Sequence, residues 1–330
     1  MISDRETWYF VGGVLLLLGS ATAVGQFLKG QPESSLNPAM IDTFNRRVRA
    51  WWLMCSLLAA ALVLRREVTV VLFGLLAFWA LREFITLTPT RLSDHRTLFW
   101  VFVIFTPLQF LLVGWDKYDV FSILIPLYGL LFVTTRVAFS GDPKRFLERT
   151  AKIQAGLVFC VYCLSFAPAL LYLQIYPTAT PAELKNGAVA ATQWDKNALL
   201  LFYFVFLVQM GDTLQYAWGK MVGKRVIAPA ISPTRTWEGF LGGVGSTALL
   251  GSVLSEWATP FNYWQAALMA LAIALAGFAG GMTMSAIKRD RGVKDYGTLV
   301  VGHGGVLDRI DSLCFAAPVF FHLTKVFFTQ

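Results

Sequence analysis

The stretch ALLLFYFVFLVQMGDTLQYAWGK, Ala198 to Lys220, carries no charged side chain before Asp212. An apolar run of roughly 20 residues is long enough, as a helix, to cross the ~30 Å hydrocarbon core of a bilayer. Similar runs recur on both sides of it. Approximate spans are 8–28, 50–64, 68–87, 98–115, 119–135, 153–174, 198–219, 239–256, 263–285 and 312–328. The second is short, and the turn around Arg65 and Arg66 could instead close a hairpin that does not fully cross. Composition agrees: 56% hydrophobic, 15% aromatic and only 15% charged residues, with a mean hydropathy of +0.58, exceed what a soluble core of this size requires. The predicted class is all-α, a polytopic transmembrane protein with about ten spanning helices.

Loop charge gives an orientation, because Lys and Arg in short loops collect on the cytoplasmic side. Alternating the loops puts Lys29, Arg46, Arg47, Arg49, Arg91, Arg96, Arg136, Lys144, Arg145, Arg149 and Lys152 on one side. Lys220, Lys224, Arg225, Arg235, Lys288, Arg289, Arg291, Lys294 and Arg309 fall with them. The opposite side holds Arg65, Arg66, Lys117, Lys185 and Lys196, with Arg5 and Lys325 near the termini. Both termini are therefore predicted outside and the last two polar loops inside. Asp4, Arg5 and Glu6 precede a long apolar run without an A-x-A-like cleavage site, so the first segment reads as a retained helix. The net charge of +8 is explained by this bias and by anionic lipid headgroups, and requires no nucleic acid. Cys160 and Cys163 form a C-x-x-C inside an apolar span with no second ligand pair, which reads as packing.

Polar chemistry is unevenly distributed. A division follows at 1–152, a transmembrane region with membrane-surface loops, and 153–330, a transmembrane catalytic region. In the first, NRRVRAWW (Asn45 to Trp52) resembles a basic anchor beside interfacial Trp. SGDPKRFLERTAKIQ (Ser140 to Gln154) suggests a short helix lying on the inner surface. Arg82 and Glu83, near the end of the third span, read first as snorkelling side chains, with a polar cavity as the alternative.

The second region holds two rich loops, 211–243 and 285–312. Asp308 and Asp311 are three apart, so a helix starting at Leu307 presents both from one face. Such a pair suits Mg²⁺, with phosphate oxygens completing the shell. Lys288, Arg289, Arg291, Lys294 and Arg309 supply positive charge, and Gly304 and Gly305 would let backbone N–H groups approach a phosphate. The alternative is that Asp311 or Ser312 caps the last helix. Asp212 sits deep enough in its span to be costly unless it faces a cavity or partner. In ISPTRTWEG (Ile231 to Gly239), Pro233 marks a turn, Ser232, Thr234 and Thr236 offer hydroxyls, Arg235 a planar phosphate clamp, and Glu238 lies near a helix start that Thr236 could cap. His303 is open between proton transfer, phosphate binding and a hydrogen bond to the glycine turn.

Together these residues resemble the signature of the integral-membrane phosphatidate cytidylyltransferases, the CDP-diacylglycerol synthases. The matching positions are Ser285, Lys288, Arg289, Lys294, Asp295, Gly297, Gly302, His303, Gly304, Gly305, Asp308, Arg309, Asp311 and Ser312. Upstream, ISPTRTWEGFLGG is similar to the family's pattern, with Arg235 where Lys is usual. The resemblance runs from about Gly211 to the C-terminus and suggests a divergent bacterial branch.

What it implies is a reaction in which phosphatidic acid and CTP give CDP-diacylglycerol and pyrophosphate, at the cytoplasmic face of a bacterial inner membrane. Asp308, Asp311 and Asp212 would be the Mg²⁺ ligands, and Lys288 and Arg309 would act with the aspartates in catalysis. Ser232, Arg235, Thr236, Glu238, Ser285, Arg289, Lys294, Asp295, His303, Gly304 and Gly305 would bind CTP and its phosphates. A homodimer is implied by the resemblance alone. The family usually has an Asp, similar in role to a metal ligand, where this chain has Gly281, so a weakened metal site is expected. A CTP-dependent lipid kinase and a nucleotide-binding relic remain as alternatives.

Overall fold

The computed structural model describes residues 65–88, 90–175, 188–297 and 304–329, with isolated positions before residue 65. The spans expected at 8–28 and 50–64, and His303, lie outside the described residues. Eight long helices follow in order: α1 (Arg66–Leu87), α2 (Leu92–Gly114), α3 (Tyr118–Ala138), α4 (Phe146–Tyr172), α5 (Ala188–Met221), α6 (Trp237–Ala258), α7 (Tyr263–Asp290) and α8 (Leu307–Phe328). Among the described residues seven are long and apolar enough to cross a membrane, against the about ten expected. The eighth, α6, is as long as α1 but diluted by glycine and serine. Apolar side chains such as Val71, Leu75, Leu249, Val253 and Leu268 stay exposed along these helices, as a lipid-facing surface would.

The C-terminal helices pack in sequence, α5 on α6, α6 on α7 and α7 on α8, while α8 also contacts α5, α4 and α1. The α5–α6 contact is very close. Every fourth residue of α6 along one buried face is small: Gly239, Gly243, Thr247, Gly251 and Ser255. A methyl group added to Gly243 would come within 2.6 Å of the Gln215 backbone, so only hydrogen fits. Without a hydrophobic drive between helices in lipid, this close approach is what holds them together. Tyr203 Oη adds a buried hydrogen bond to the Gly251 carbonyl at 3.0 Å.

In the N-terminal part, buried amides join the helices. Gln109 Nε2 donates to the Phe121 carbonyl and to Ser165 Oγ, and Asn197 Nδ2 donates to the carbonyls of Leu171 and Leu173. The α-helical ladder loosens to π geometry at Val101–Phe105, Leu124–Gly129 and Leu157–Cys163. Thr106 Oγ1 bonds the Val101 carbonyl five residues back, and Pro126 removes a donor from the second stretch.

Two expectations need correction. The short surface helix at 140–154 does not stand apart: Phe146 opens α4, which continues through Gln154 and across the 152/153 division to Tyr172. The reason is Arg149. Its side chain is buried and forks onto the equally buried Asp94, while Nη1 donates to the Asp142 carbonyl at 2.7 Å. Asp142 in turn pairs with Arg91 at 2.6 Å, a hydrogen bond that holds its carboxyl below the usual range. With its charge met inside, the helix has no cause to lie on a surface.

The second is the turn expected at Pro233: beside the all-α framework stands a small hairpin, β1 (Val226–Ala228) antiparallel to β2 (Ser232–Thr236), with Val226 opposite Thr236 and Ala228 opposite Ser232. Its turn is closed by Ile231 N–H to the Ala228 carbonyl, with Pro229 just after Ala228, so Pro233 lies in a strand rather than at the turn.

Removing the guanidinium in Arg149→Ala strands the Asp94 charge and should cost about 3 kcal/mol or more. Thermal unfolding in detergent should show that loss, and the paired Asp94→Asn, Arg149→Met variant should recover most of it.

Candidate active site

The polar end of α5 is the floor of the site. Gln209, Asp212, Thr213 and Tyr216 follow one another at helical spacing and line a cavity of about 250 Å³. Strand β2 contributes Thr234, Arg235 and Thr236 to it, and α8 contributes Asp308, Arg309 and Asp311. The hairpin is fixed where it must be: Thr236 caps α6 by accepting Gly239 N–H at 3.1 Å, and Glu238 accepts the N–H groups of Lys224 and Arg225. Thus the sequence elements around 212, 235 and 308–311 meet in one place.

Asp308 is tied down by three donors. Oδ1 accepts Lys288 Nζ at 2.7 Å, and Oδ2 accepts the N–H groups of Tyr296 at 2.8 Å and Gly305 at 2.9 Å. Lys288 also lies over the Tyr296 ring at 5.3 Å. Burial pushes the Tyr296 phenol up, so it stays protonated and donates to the Met284 carbonyl. Gly304 has φ +79, a left-handed conformation that brings the Gly305 N–H onto Asp308. Gly305 therefore gives its N–H to Asp308 and not to a ligand.

Behind α8 lies a carboxylate that sequence reasoning misplaced. Glu83 of α1 is buried, and accepts Val306 N–H at 2.9 Å and Leu307 N–H at 2.8 Å. It caps α8 from another helix, and a Cβ on Gly305 would meet its carboxyl carbon at 2.7 Å. Of the adjacent pair, Arg82 alone is exposed, its guanidinium 5.3 Å from the Trp79 ring.

Arg235 approaches Asp212, Nη2 to Oδ1, at 3.8 Å and lies over the Phe278 ring at 5.2 Å. It also covers Gly281. A Cβ there would collide with Nη2 and lie 3.1 Å from Cζ. The two positions where the chain departs from the pattern it resembles are therefore in contact.

The remaining expected residues surround this centre. Ser232 is buried in β2, and Ser285 Oγ donates to the Gly281 carbonyl of its own helix. Arg289 donates to the carbonyls of Ile231 and Val293, tying α7 to the hairpin. Lys294 and Asp295 are exposed. Asp311 Oδ1 accepts the Ser312 N–H at 2.7 Å. Sequence reasoning missed Gln209, Thr213 and Tyr216, which share the face of Asp212; their i, i+4 and i+7 spacing from Gln209 was the available signal. Gln209 Nε2 holds the Arg309 carbonyl at 3.2 Å, linking α5 to α8.

For a divalent cation, the donor chemistry is selective. Asp308 fits poorly, since both oxygens already serve an ammonium and two amides. Among the described residues no three His, Cys, Asp or Glu side chains converge as a metal cluster. Asp212 and Asp311, both on the cavity wall, fit Mg²⁺ in the mode where one or two carboxylates act with phosphate oxygens.

The arrangement defines a polytopic helical membrane protein with a mixed carboxylate and guanidinium site at one end of its helices. The model of the "Cytidylyltransferase family" matches residues 45–327, and the chain belongs to that family. It is 39% identical over 279 residues to the "Uncharacterized protein YnbB" of Escherichia coli K12, covering 84% of this chain and 86% of that one. It is also similar to two proteins named phosphatidate cytidylyltransferase. That of Synechocystis is 41% identical over 38% of this chain and 41% of its own length. That of Bacillus subtilis is 38% identical over 38% of this chain and 48% of its own. The chain thus spans less than half of either cytidylyltransferase.

Glu83→Ala would leave the N–H groups of Val306 and Leu307 at the start of α8 unpaired, at a cost of about 1–3 kcal/mol for the buried Leu307 group and less for the part-buried Val306 group. We expect a lower unfolding temperature together with a less protected Gly305 amide in hydrogen exchange, because Asp308 sits on the same turn. Glu83→Gln, which keeps one acceptor, should fall between Glu83→Ala and the native chain in both measurements.

Proposed function

We propose that the protein transfers the cytidylyl group of CTP to phosphatidic acid, giving CDP-diacylglycerol and pyrophosphate. A phosphate oxygen of the lipid forms a bond to the α-phosphorus of CTP as the bond from that phosphorus to its bridging oxygen breaks. The electron pair leaves with pyrophosphate. The nucleophile is already ionised at neutral pH, so no general base is required. The chief demands are alignment and neutralisation of charge on several phosphates.

The observation that carries this reading is the convergence of Arg235, Arg309 and Asp311 with Asp212 in one cavity, with Lys288 held at its edge by Asp308. Arg235 and Arg309 would clamp phosphate oxygens in a planar, forked geometry. Lys288, fixed by Asp308, would add a point charge. Mg²⁺ held by Asp212 and Asp311 would supply further neutralisation when bound. In this reading CTP would arrive from water and the lipid from the bilayer, which the seven apolar helices support. The site faces the cytoplasm in this reading, as loop charge suggests, and the homodimer is proposed on resemblance alone.

Incubating the purified full-length chain with radiolabelled CTP, phosphatidic acid and Mg²⁺ should yield a chloroform-soluble labelled product and one pyrophosphate per transfer. Release of CDP with a phosphorylated lipid would identify a kinase instead. Arg309→Ala and Asp311→Asn should each lower turnover by about 100-fold or more, the usual loss when a charge-stabilising group is removed.

A further inference from the structure

We infer that the guanidinium of Arg235, seated on Gly281, supplies a fixed positive charge to the triphosphate subsite, so that nucleotide binding does not require a divalent cation. This deepens the proposed function and rests on its assignment of the cavity to a nucleoside triphosphate.

The geometry is specific. Arg235 enters from β2, stacks 5.2 Å from the Phe278 ring and reaches Asp212 at 3.8 Å. Any side chain at 281 would occupy its place: a Cβ would collide with Nη2 and stand 3.1 Å from Cζ and 3.3 Å from Nη1. Nη1 is buried and has no hydrogen-bond partner among the described residues, so the group retains donor capacity. A buried unpaired donor is costly, and a phosphate oxygen would satisfy it. The side chain is one-quarter exposed and lines the cavity, so an incoming anion can reach it.

Charge points the same way. Asp212, Asp308 and Asp311 are balanced by Lys288, Arg235 and Arg309, three carboxylates against three cations around one site. A carboxylate at 281 would tip that set negative just where a polyanion must enter, and a metal ion would then be needed to offset it. Glycine at 281 removes the need. Arginine suits the place better than lysine, because its flat group lies on the glycine and against an aromatic face while its edge still donates.

The test is CTP affinity of the purified full-length chain, measured by calorimetry in EDTA and again in Mg²⁺. We expect binding in EDTA within about 10-fold of that in Mg²⁺. Arg235→Gln should weaken binding in EDTA by about 100-fold, the scale of a lost charge-assisted hydrogen bond, and weaken it much less in Mg²⁺. Gly281→Ala displaces the guanidinium tip without changing charge and should act in the same direction, while Gly281→Asp should make binding Mg²⁺-dependent. If native binding disappears in EDTA but persists in Mg²⁺, or if Arg235→Gln weakens both conditions equally, the inference is overturned while the nucleotide assignment stands. Failure to bind CTP under either condition overturns both.

Discussion

The N-terminal turn of α8 is held by two carboxylates acting from opposite directions. Glu83 reaches in from α1 and takes the N–H groups of Val306 and Leu307, while Asp308 on the helix itself takes those of Tyr296 and Gly305. A helix start left bare exposes unpaired donors and a partial positive charge, and would attract any anion. Here internal carboxylates consume that attraction. In the proposed reading phosphate recognition would pass from the backbone to Arg235, Arg309 and Lys288, the last two of which depend on this turn for their positions. Lys288 is oriented by Asp308, and Arg309 is carried on the same turn with its carbonyl held by Gln209.

The small-residue face of α6 does comparable work on the other wall. Because Gly239 and Gly243 let α6 lie against the α5 backbone, the cap residue Thr236 comes close to Gly219, within 3.2 Å of where a Cβ there would stand. The hairpin is thereby anchored to the end of α5. Arg235, one residue before the cap, then projects toward Asp212. A larger side chain at 243 would move the whole strand, not one contact, so the geometry of the guanidinium depends on a glycine about two helical turns further along the chain.

The spanning helices were legible because bilayer thickness imposes a length and a hydropathy that no local detail overrides. The boundaries expected at 68–87, 119–135 and 263–285 fall within a few residues of α1, α3 and α7. Asp212 stood out because charge is costly within an apolar span, Asp308 and Asp311 by their spacing, and Arg235 and Arg309 as cations in polar loops; all five line one cavity. Glu83 was not, since its partners lie 223 and 224 residues away and a glutamate near a helix end has an adequate local explanation in snorkelling. Arg149 misled for the same cause: read locally it is an interfacial cation, yet Asp94 makes it a buried one. The glycines of the HGG turn were read as making room for phosphate, whereas Gly305 makes room for Glu83.

Depth decides how two substrates of opposite solubility could share the site. Trp218 and Trp237 are exposed at the end of α5 and the start of α6, where indole rings mark the headgroup level. Asp212 precedes Trp218 by six residues, which at ~1.5 Å per residue is about 9 Å along α5. In the proposed reading Arg235, whose guanidinium lies 3.8 Å from Asp212, would meet phosphates at that level, its apolar stem running back to the hairpin. Asp212 and Arg235 are only partly exposed, so screening by water is reduced there and an unbalanced charge acts more strongly than at the open surface. In the proposed reading a near-neutral set of carboxylates and cations can then persist without substrate and still present guanidinium donors to arriving phosphates.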